Sequence, residues 1–272
     1  TSTVNLTGNG TLKTPGSSPV RFYKISCAAE GKTTTLQSHF GYSNLLTIGA
    51  GTLTGSYTVY YNSGTNQNPL VIHADANVTG IQRFFFTPGN VDINLPAHTY
   101  PSISFDSIGN RTMTLTGDTT VNTSFVVFAE ANYTGTVDLN GKILTIGSSG
   151  LEIGYSSATR QGILKNNSAT TSTLTVNGPV TIYAGNGSNL LNLNNINMSV
   201  SGNFTNSAVA GENSGIIPVT STVTFNATGA GRTITSGGDS FNNVDFNGAG
   251  GGWTLQDGFI TTGDFTVTRT DT

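Results

Sequence analysis

The sequence predicts an all-β fold, a parallel β-solenoid (right-handed β-helix) of short strands. Three observations lead there: short apolar runs of period two, turn-forming pairs spaced near ten residues apart, and one pattern of large side chains that recurs along the chain. A sandwich of β-sheets is the competing arrangement, since it too is made of short alternating strands. Three copies of one pattern in the same order favour the solenoid.

The strand signals come first. Ser56-Tyr57-Thr58-Val59-Tyr60-Tyr61, Thr222-Val223-Thr224-Phe225 and Asp264-Phe265-Thr266-Val267-Thr268 alternate and favour β-branched and aromatic residues. Between such runs lie Asn140-Gly141, Asn177-Gly178, Asn186-Gly187, Asn247-Gly248 and Asp257-Gly258, pairs that tolerate the positive φ of tight turns. No segment carries the pattern of a helix of three or more turns.

The repeats follow. One copy, within residues 222–268, runs Phe241-Asn-Asn-Val244-Asp-Phe246, a Gly-rich turn, Trp253-Thr254-Leu255, Ile260, then Phe265-Thr-Val267. A second, within 96–147, runs Tyr100-Pro-Ser-Ile103-Ser-Phe105, Met113-Thr114-Leu115, Val121, Phe125-Val-Val127. A third, within 8–55, runs Phe22-Tyr-Lys-Ile25-Ser-Cys27, Thr34-Thr35-Leu36, Phe40, Leu45-Leu-Thr47. The alignment makes Phe22, Tyr100 and Phe241 equivalent, likewise Ile25, Ile103 and Val244, and likewise Leu36, Leu115 and Leu255. Trp253, two positions before Leu255, is expected to point the same way. Residues 1–272 then form one elongated solenoid, with like side chains stacked inside and polar residues outside.

Composition limits function. Charged residues make up 9% of the chain against about 25% in ordinary domains, and the net charge is −3. No basic face exists to hold a phosphate backbone, which excludes nucleic acid as a partner. The 14 Phe and 9 Tyr give the chain a core to bury, so it folds despite its low complexity. No stretch approaches the ~20 apolar residues of a membrane span. The chain begins at Thr1 with neither Met nor signal peptide, which suggests a processed product or an excerpt of a longer one.

Thr222-Val-Thr-Phe-Asn-Ala-Thr-Gly-Ala-Gly-Arg-Thr-Ile234, with Phe241-Asn-Asn-Val-Asp-Phe246 and Trp253-Thr-Leu255, resembles the repeats of large secreted bacterial surface proteins. Those are adhesin-like right-handed β-helices, also seen in autotransporter-type passengers. Ser201-Gly-Asn-Phe-Thr-Asn-Ser207 and Val137-Asp-Leu-Asn-Gly-Lys-Ile-Leu-Thr-Ile-Gly147 are similar in style. The resemblance implies a secreted, cell-surface β-helix and carries over no catalytic residues.

Nothing in the sequence marks a catalytic, cofactor or metal site. Carboxylates are scattered; Asp118 and Asp257 fall in turns that the alignment makes equivalent, and Asp245 aligns outward with Ser104 and Ser26. Only convergence of distant coils would build the acid pair of a polysaccharide-cleaving enzyme. His39, His73 and His98 lack metal-ligand spacing. Cys27 reads as a buried apolar residue. Gly248-Ala-Gly-Gly-Gly252 lacks the Lys and helix of a phosphate loop and reads as a flexible turn. Thr112-x-Thr114-x-Thr116, Thr173-x-Thr175, Thr222-x-Thr224, Thr233-x-Thr235 and Thr266-x-Thr268 suggest hydroxyl pairs of the ice-binding kind, but their spacing along the chain is irregular. Neither end offers a cap: Thr1–Thr7 and Asp264–Thr272 read as edge strands. The expectation is a non-enzymatic surface filament subunit or adhesin stalk without cofactors, self-associating end to end through its terminal strands and meeting glycans or a host surface. A polysaccharide-binding or polysaccharide-cleaving protein and an ice-binding solenoid are the alternatives.

Overall fold

The computed structural model describes residues 3–13, 20–156, 159–185, 189–208 and 214–268. Its 33 strands, with no helix among these residues, wind into a right-handed parallel β-solenoid of about ten turns. Each turn contributes up to three strands, so the body has three faces. Every pairing is parallel and joins a strand to one of a neighbouring turn, although the ladders of the second and third faces are interrupted after Leu70–Ile72, Asn77–Thr79 and Gly215–Ile217. One right-handed winding brings each strand back beside its predecessor, as the natural twist of strands favours.

The first face begins with the front half of the long strand Val20–Cys27 and ends with Trp253–Leu255. The back half of Val20–Cys27 bends onto the second face, where Thr3–Asn5 pairs with it at Thr3↔Lys24. A register shift between Phe22 and Lys24 marks that corner. The same double use recurs in Phe40–Ile48, whose front half pairs with Thr58–Asn62 and whose back half pairs with Leu70–Ile72. Later turns break the long strand into two. The third face holds Gly10–Leu12, Thr33–Leu36, Thr52–Thr54 and Asn77–Thr79, then the stack from Thr99–Tyr100 to Phe265–Val267.

Alternation puts one side of each strand inside, and parallel register stacks those side chains into columns. On the first face the column is Phe40, Val59, Phe84, Ile103, Phe125, Leu151, Val180, Phe204 and Ile234, then Leu255. On the third it is Tyr100, Val121, Ile146, Val176, Val200, Phe225, Phe246 and Val267. Turn length varies from 19 residues (Phe84 to Ile103) to 30 (Phe204 to Ile234), and the difference is absorbed in the loops at the corners.

The expected repeat equivalences do not hold. Phe22 lies on the first face, Tyr100 on the third and Phe241 on the second. Ile25, Ile103 and Val244 occupy the second, first and third faces. Leu36, Leu115 and Leu255 occupy the third, second and first; the first two are buried while Leu255 is 47% exposed. Each set spreads over all three faces because all three use the same alternation, so an alignment can slip by a face without losing its match. Trp253 does turn inward, its ring 5.0 Å from that of Phe225.

Corners are closed by side-chain brackets between turns. Thr33 N donates to Asn9 Oδ1 (2.8 Å), Thr112 N to Asp92 Oδ1 (2.8 Å), Thr134 N to Asn110 Oδ1 (2.9 Å) and Gly162 N to Asn189 Oδ1 (2.9 Å). A corner interrupts the ladder, and these short side chains satisfy the N–H groups it strands. Among the predicted turn pairs, Asn140 and Gly141 take positive φ (50° and 72°). Gly178 does not; it is needed because a Cβ there would meet the Ser148 carbonyl of the preceding turn. Asn186-Gly187 lies outside the described residues.

Tyr42 is fully buried with its hydroxyl unpartnered, its ring 5.4 Å from that of Tyr61. Tyr42→Phe removes that lone polar atom and should stabilise the chain by about 1 kcal/mol. Phe225→Ala should instead cost about 3–5 kcal/mol. Chemical denaturation followed by circular dichroism checks both.

Candidate functional site

Most residues with chemical potential serve the structure. Cys27 is buried on the second face beside Ile48, and burial pushes its thiol up to about 12. His39 accepts from Thr58 N (2.9 Å), His73 lies 3.6 Å from Asp75 on the surface, and burial lowers the pKa of His98. Among the described residues, no three His, Cys, Asp or Glu side chains gather as a metal site would require.

Asp118 and Asp257 sit at different corners, so they are not equivalent turns. Both act as brackets: Asp118 accepts from Ile143 N (2.9 Å) one turn on, Asp257 from Ser236 N (2.9 Å) and Gly237 N (2.7 Å) one turn back. Burial raises the Asp257 carboxyl, but these hydrogen bonds outweigh it and hold the group below its ordinary value. Asp245 faces outward on the third face, whereas Ser104 and Ser26 do so on the first and second. In the glycine tract Gly250 takes φ 73° and Gly251 N bonds the Gly248 carbonyl (3.0 Å), a turn and no phosphate cradle.

The threonines are more regular than their sequence spacing suggests. On the outside of the third face, Thr99, Thr120, Thr145, Thr175, Ser199 and Thr224 form one column, one residue per turn, followed by Asp245 and Thr266. Loops of unequal length hide a constant register. The neighbouring column is mixed, with Ile143, Thr173 and Asn197 in line and Thr222 followed by Asn243. Thr112 and Thr114 lie on the second face, Thr233 and Thr235 on the first.

Two features stand out as sites. The first is the C-terminal end of the stack. Leu255, Ile260, Phe265 and Val267 are 47–59% exposed, although Leu255 and Val267 continue inward columns whose earlier members are buried or, at Phe246, half-buried. Behind them Phe225, Phe246, Trp253 and Phe259 form an aromatic plug, with Phe225 and Phe246 stacked at 5.2 Å. Among the described residues, the outermost strands there are Trp253–Leu255, Ile260–Thr261 and Phe265–Val267, each paired on one side. At the other end the outermost strands are Thr3–Asn5, Gly10–Leu12 and the front of Val20–Cys27. Residues 1, 2 and 269–272 of the expected terminal strands lie outside the described residues.

The second is a cleft on the outside of the first face, which sequence reading missed because its parts come from distant turns. Asp106, on strand Ile103–Ser107, is 7% exposed and lies 3.7 Å from Arg160. The Arg160 guanidinium also covers the rings of Phe128 (5.1 Å) and Tyr155 (5.3 Å). Glu152, one turn beyond Val126, accepts a hydrogen bond from the Tyr183 hydroxyl (3.1 Å). Burial raises the Asp106 carboxyl to about 6; Arg160 lowers it in part, and Glu130 raises it further.

The folded chain therefore holds the Asp106 proton more tightly than the unfolded chain, whose value is near 3.8. The carboxyl costs nothing below that value, and its cost develops as pH rises through about 6. Asp106→Asn should raise the thermal midpoint at about pH 8 and leave it unchanged near pH 3.5, a difference that melting curves at both values measure.

No helix among the described residues is long and apolar enough to cross a membrane. No protein-family model, curated protein or solved structure matches the chain.

Proposed function

We propose that the chain is a non-enzymatic structural or adhesive unit of the cell exterior, joining copies head to tail through its two open ends. The apolar coil at the C-terminal end, which no described residue covers, carries this reading. Parallel strand edges recruit further strands, and a large apolar patch among them favours an occupant that covers it. A second copy fits by construction. Its N-terminal end presents the same three faces in the same strand direction, with Val4, Leu12 and Phe22 half-buried and able to continue the inward columns.

Charge supports the same pairing. Residues 1–32 carry Lys13, Arg21, Lys24 and Lys32 against Glu30, while residues 239–268 carry Asp239, Asp245, Asp257 and Asp264 and no Lys or Arg. Opposite ends attract and like ends repel, which favours an open head-to-tail polymer over a closed dimer. The resemblance to adhesin-like β-helices and a surface of hydroxyls and amides support the reading of such a filament as lying outside the cell. The reading requires no cofactor and no turnover.

A second reading, a water-ordering or ice-binding face, draws on the hydroxyl column of the third face. Asp245 interrupts that column and a mixed column flanks it, so the filament is preferred. Ice binding predicts thermal hysteresis; the filament reading predicts none.

Phe265→Asp with Val267→Asp tests the filament. Wild-type protein should form concentration-dependent end-to-end oligomers by sedimentation and electron microscopy. The double variant should remain monomeric with an unchanged circular dichroism spectrum, and Ile143→Asp, an exposed position in mid-body, should assemble normally. An assembling double variant, or a wild type that stays monomeric at high concentration, overturns the proposal.

A further inference from the structure

The exterior of the first face departs from the rule that outward positions of an exposed strand are polar. Its outward column runs Tyr60, Phe85, Ser104, Val126, Glu152 and Thr181. Tyr60 and Phe85 lie 5.5 Å apart at one end of this stretch. At the other, the half-exposed rings of Tyr155 and Tyr183 lie 6.4 Å apart, with Phe128, buried beneath Arg160, packed 5.4 Å from Tyr155. These rings come from successive turns, so the aromatic stripe runs along the solenoid axis.

The stripe is broken in the middle by a polar floor. Ser104 Oγ and Asp106 Oδ1 both line the cleft, both are buried, and neither has a hydrogen-bond partner. Buried polar atoms are nearly always paired, so two lone ones in the floor of one cleft indicate a ligand that supplies the missing groups. Arg83 and Arg160 stand at its sides, and the cleft encloses about 650 Å³.

We propose that this cleft binds a neutral polysaccharide strand laid along the solenoid axis. Aromatic faces stack on the C–H faces of pyranose rings, and hydroxyl groups both donate and accept, as Ser104 and Asp106 require. The turns repeat every ~4.8 Å, close to the advance of a sugar chain by one residue, so rings from neighbouring turns meet neighbouring sugars. Charge favours a neutral chain over a uronate or phosphate ligand. Arg83 and Arg160 are balanced by Asp106 and Glu152, and Arg160 is already engaged by Asp106. A peptide is disfavoured because it would seek a strand edge, and the backbone of this face is already paired on both sides. Assembly at the ends leaves this face open, so the site does not depend on the filament.

Calorimetry of the full chain with hexamers of β-linked glucose, xylose and mannose tests the proposal, with a galacturonate hexamer as the acidic control. At least one neutral hexamer should bind, and the galacturonate should not. Tyr155→Ala, at a position 43% exposed and therefore safe for folding, should weaken binding about tenfold, and Ser104→Ala should weaken it several-fold. Phe265→Asp should bind as the wild type does, which separates this site from end-to-end assembly. The proposal is overturned if no neutral hexamer binds, if the acidic hexamer binds as tightly, or if Tyr155→Ala binds like the wild type.

Discussion

Parallel hydrogen bonding between one turn and the next, held in register, is the interaction on which the rest of this protein depends. A single turn has no core of its own; it buries its inward residues only against the turns above and below. Once the register is set, the inner columns, the outer columns and the corners follow from it. Phe84 meets Ile103 across a 19-residue turn, and Phe204 meets Ile234 across 30 residues, with the same inward geometry. The loops take up the difference, so insertions there leave the core untouched.

The corner brackets explain the composition. A charged surface would serve solubility, but this chain spends its polar residues on Asn, Asp, Ser and Thr that reach from one turn to the next. Asn166 is 5% exposed; its Oδ1 accepts from Gly141 N of the previous turn, while its Nδ2 donates to the Asn195 carbonyl of the following one. Asp239 ties Asn206 and Ile216 N together in the same manner. Asn110 and Asn203 act alike, their Oδ1 atoms accepting from Thr134 N and Thr233 N one turn on.

Much of this was legible in the sequence. Alternation gave the strands, the absence of helical period gave the class, and the pattern around Cys27 gave its burial. Which face each strand joins was not legible, because Leu36, Leu115 and Leu255 stand in the same local pattern on three different faces. Local alternation encodes inside and outside; it does not encode the corner at which a strand lies. The cleft was hidden for a related reason. Asp106 and Arg160 belong to different turns, and only the register brings them within 3.7 Å. Ser104 reads in the sequence as an ordinary outward serine, yet it is fully buried between neighbouring turns. The one available signal was the run of outward aromatics, Tyr60, Phe85 and Phe128, on a face expected to be polar.

Register itself can be measured through disulfide formation. Thr145 and Thr175 are direct partners on the third face although 30 residues separate them, and Ser199 lies one turn further on. Strand partners stand about 4.8 Å apart, within disulfide reach, whereas residues two turns apart stand about 10 Å away, beyond the ~7 Å limit. The account predicts that Thr145→Cys with Thr175→Cys oxidises readily to an intramolecular disulfide, detected by peptide mass spectrometry, and that Thr145→Cys with Ser199→Cys does not. Efficient bridging of the second pair, or failure of the first, would contradict the in-register stack.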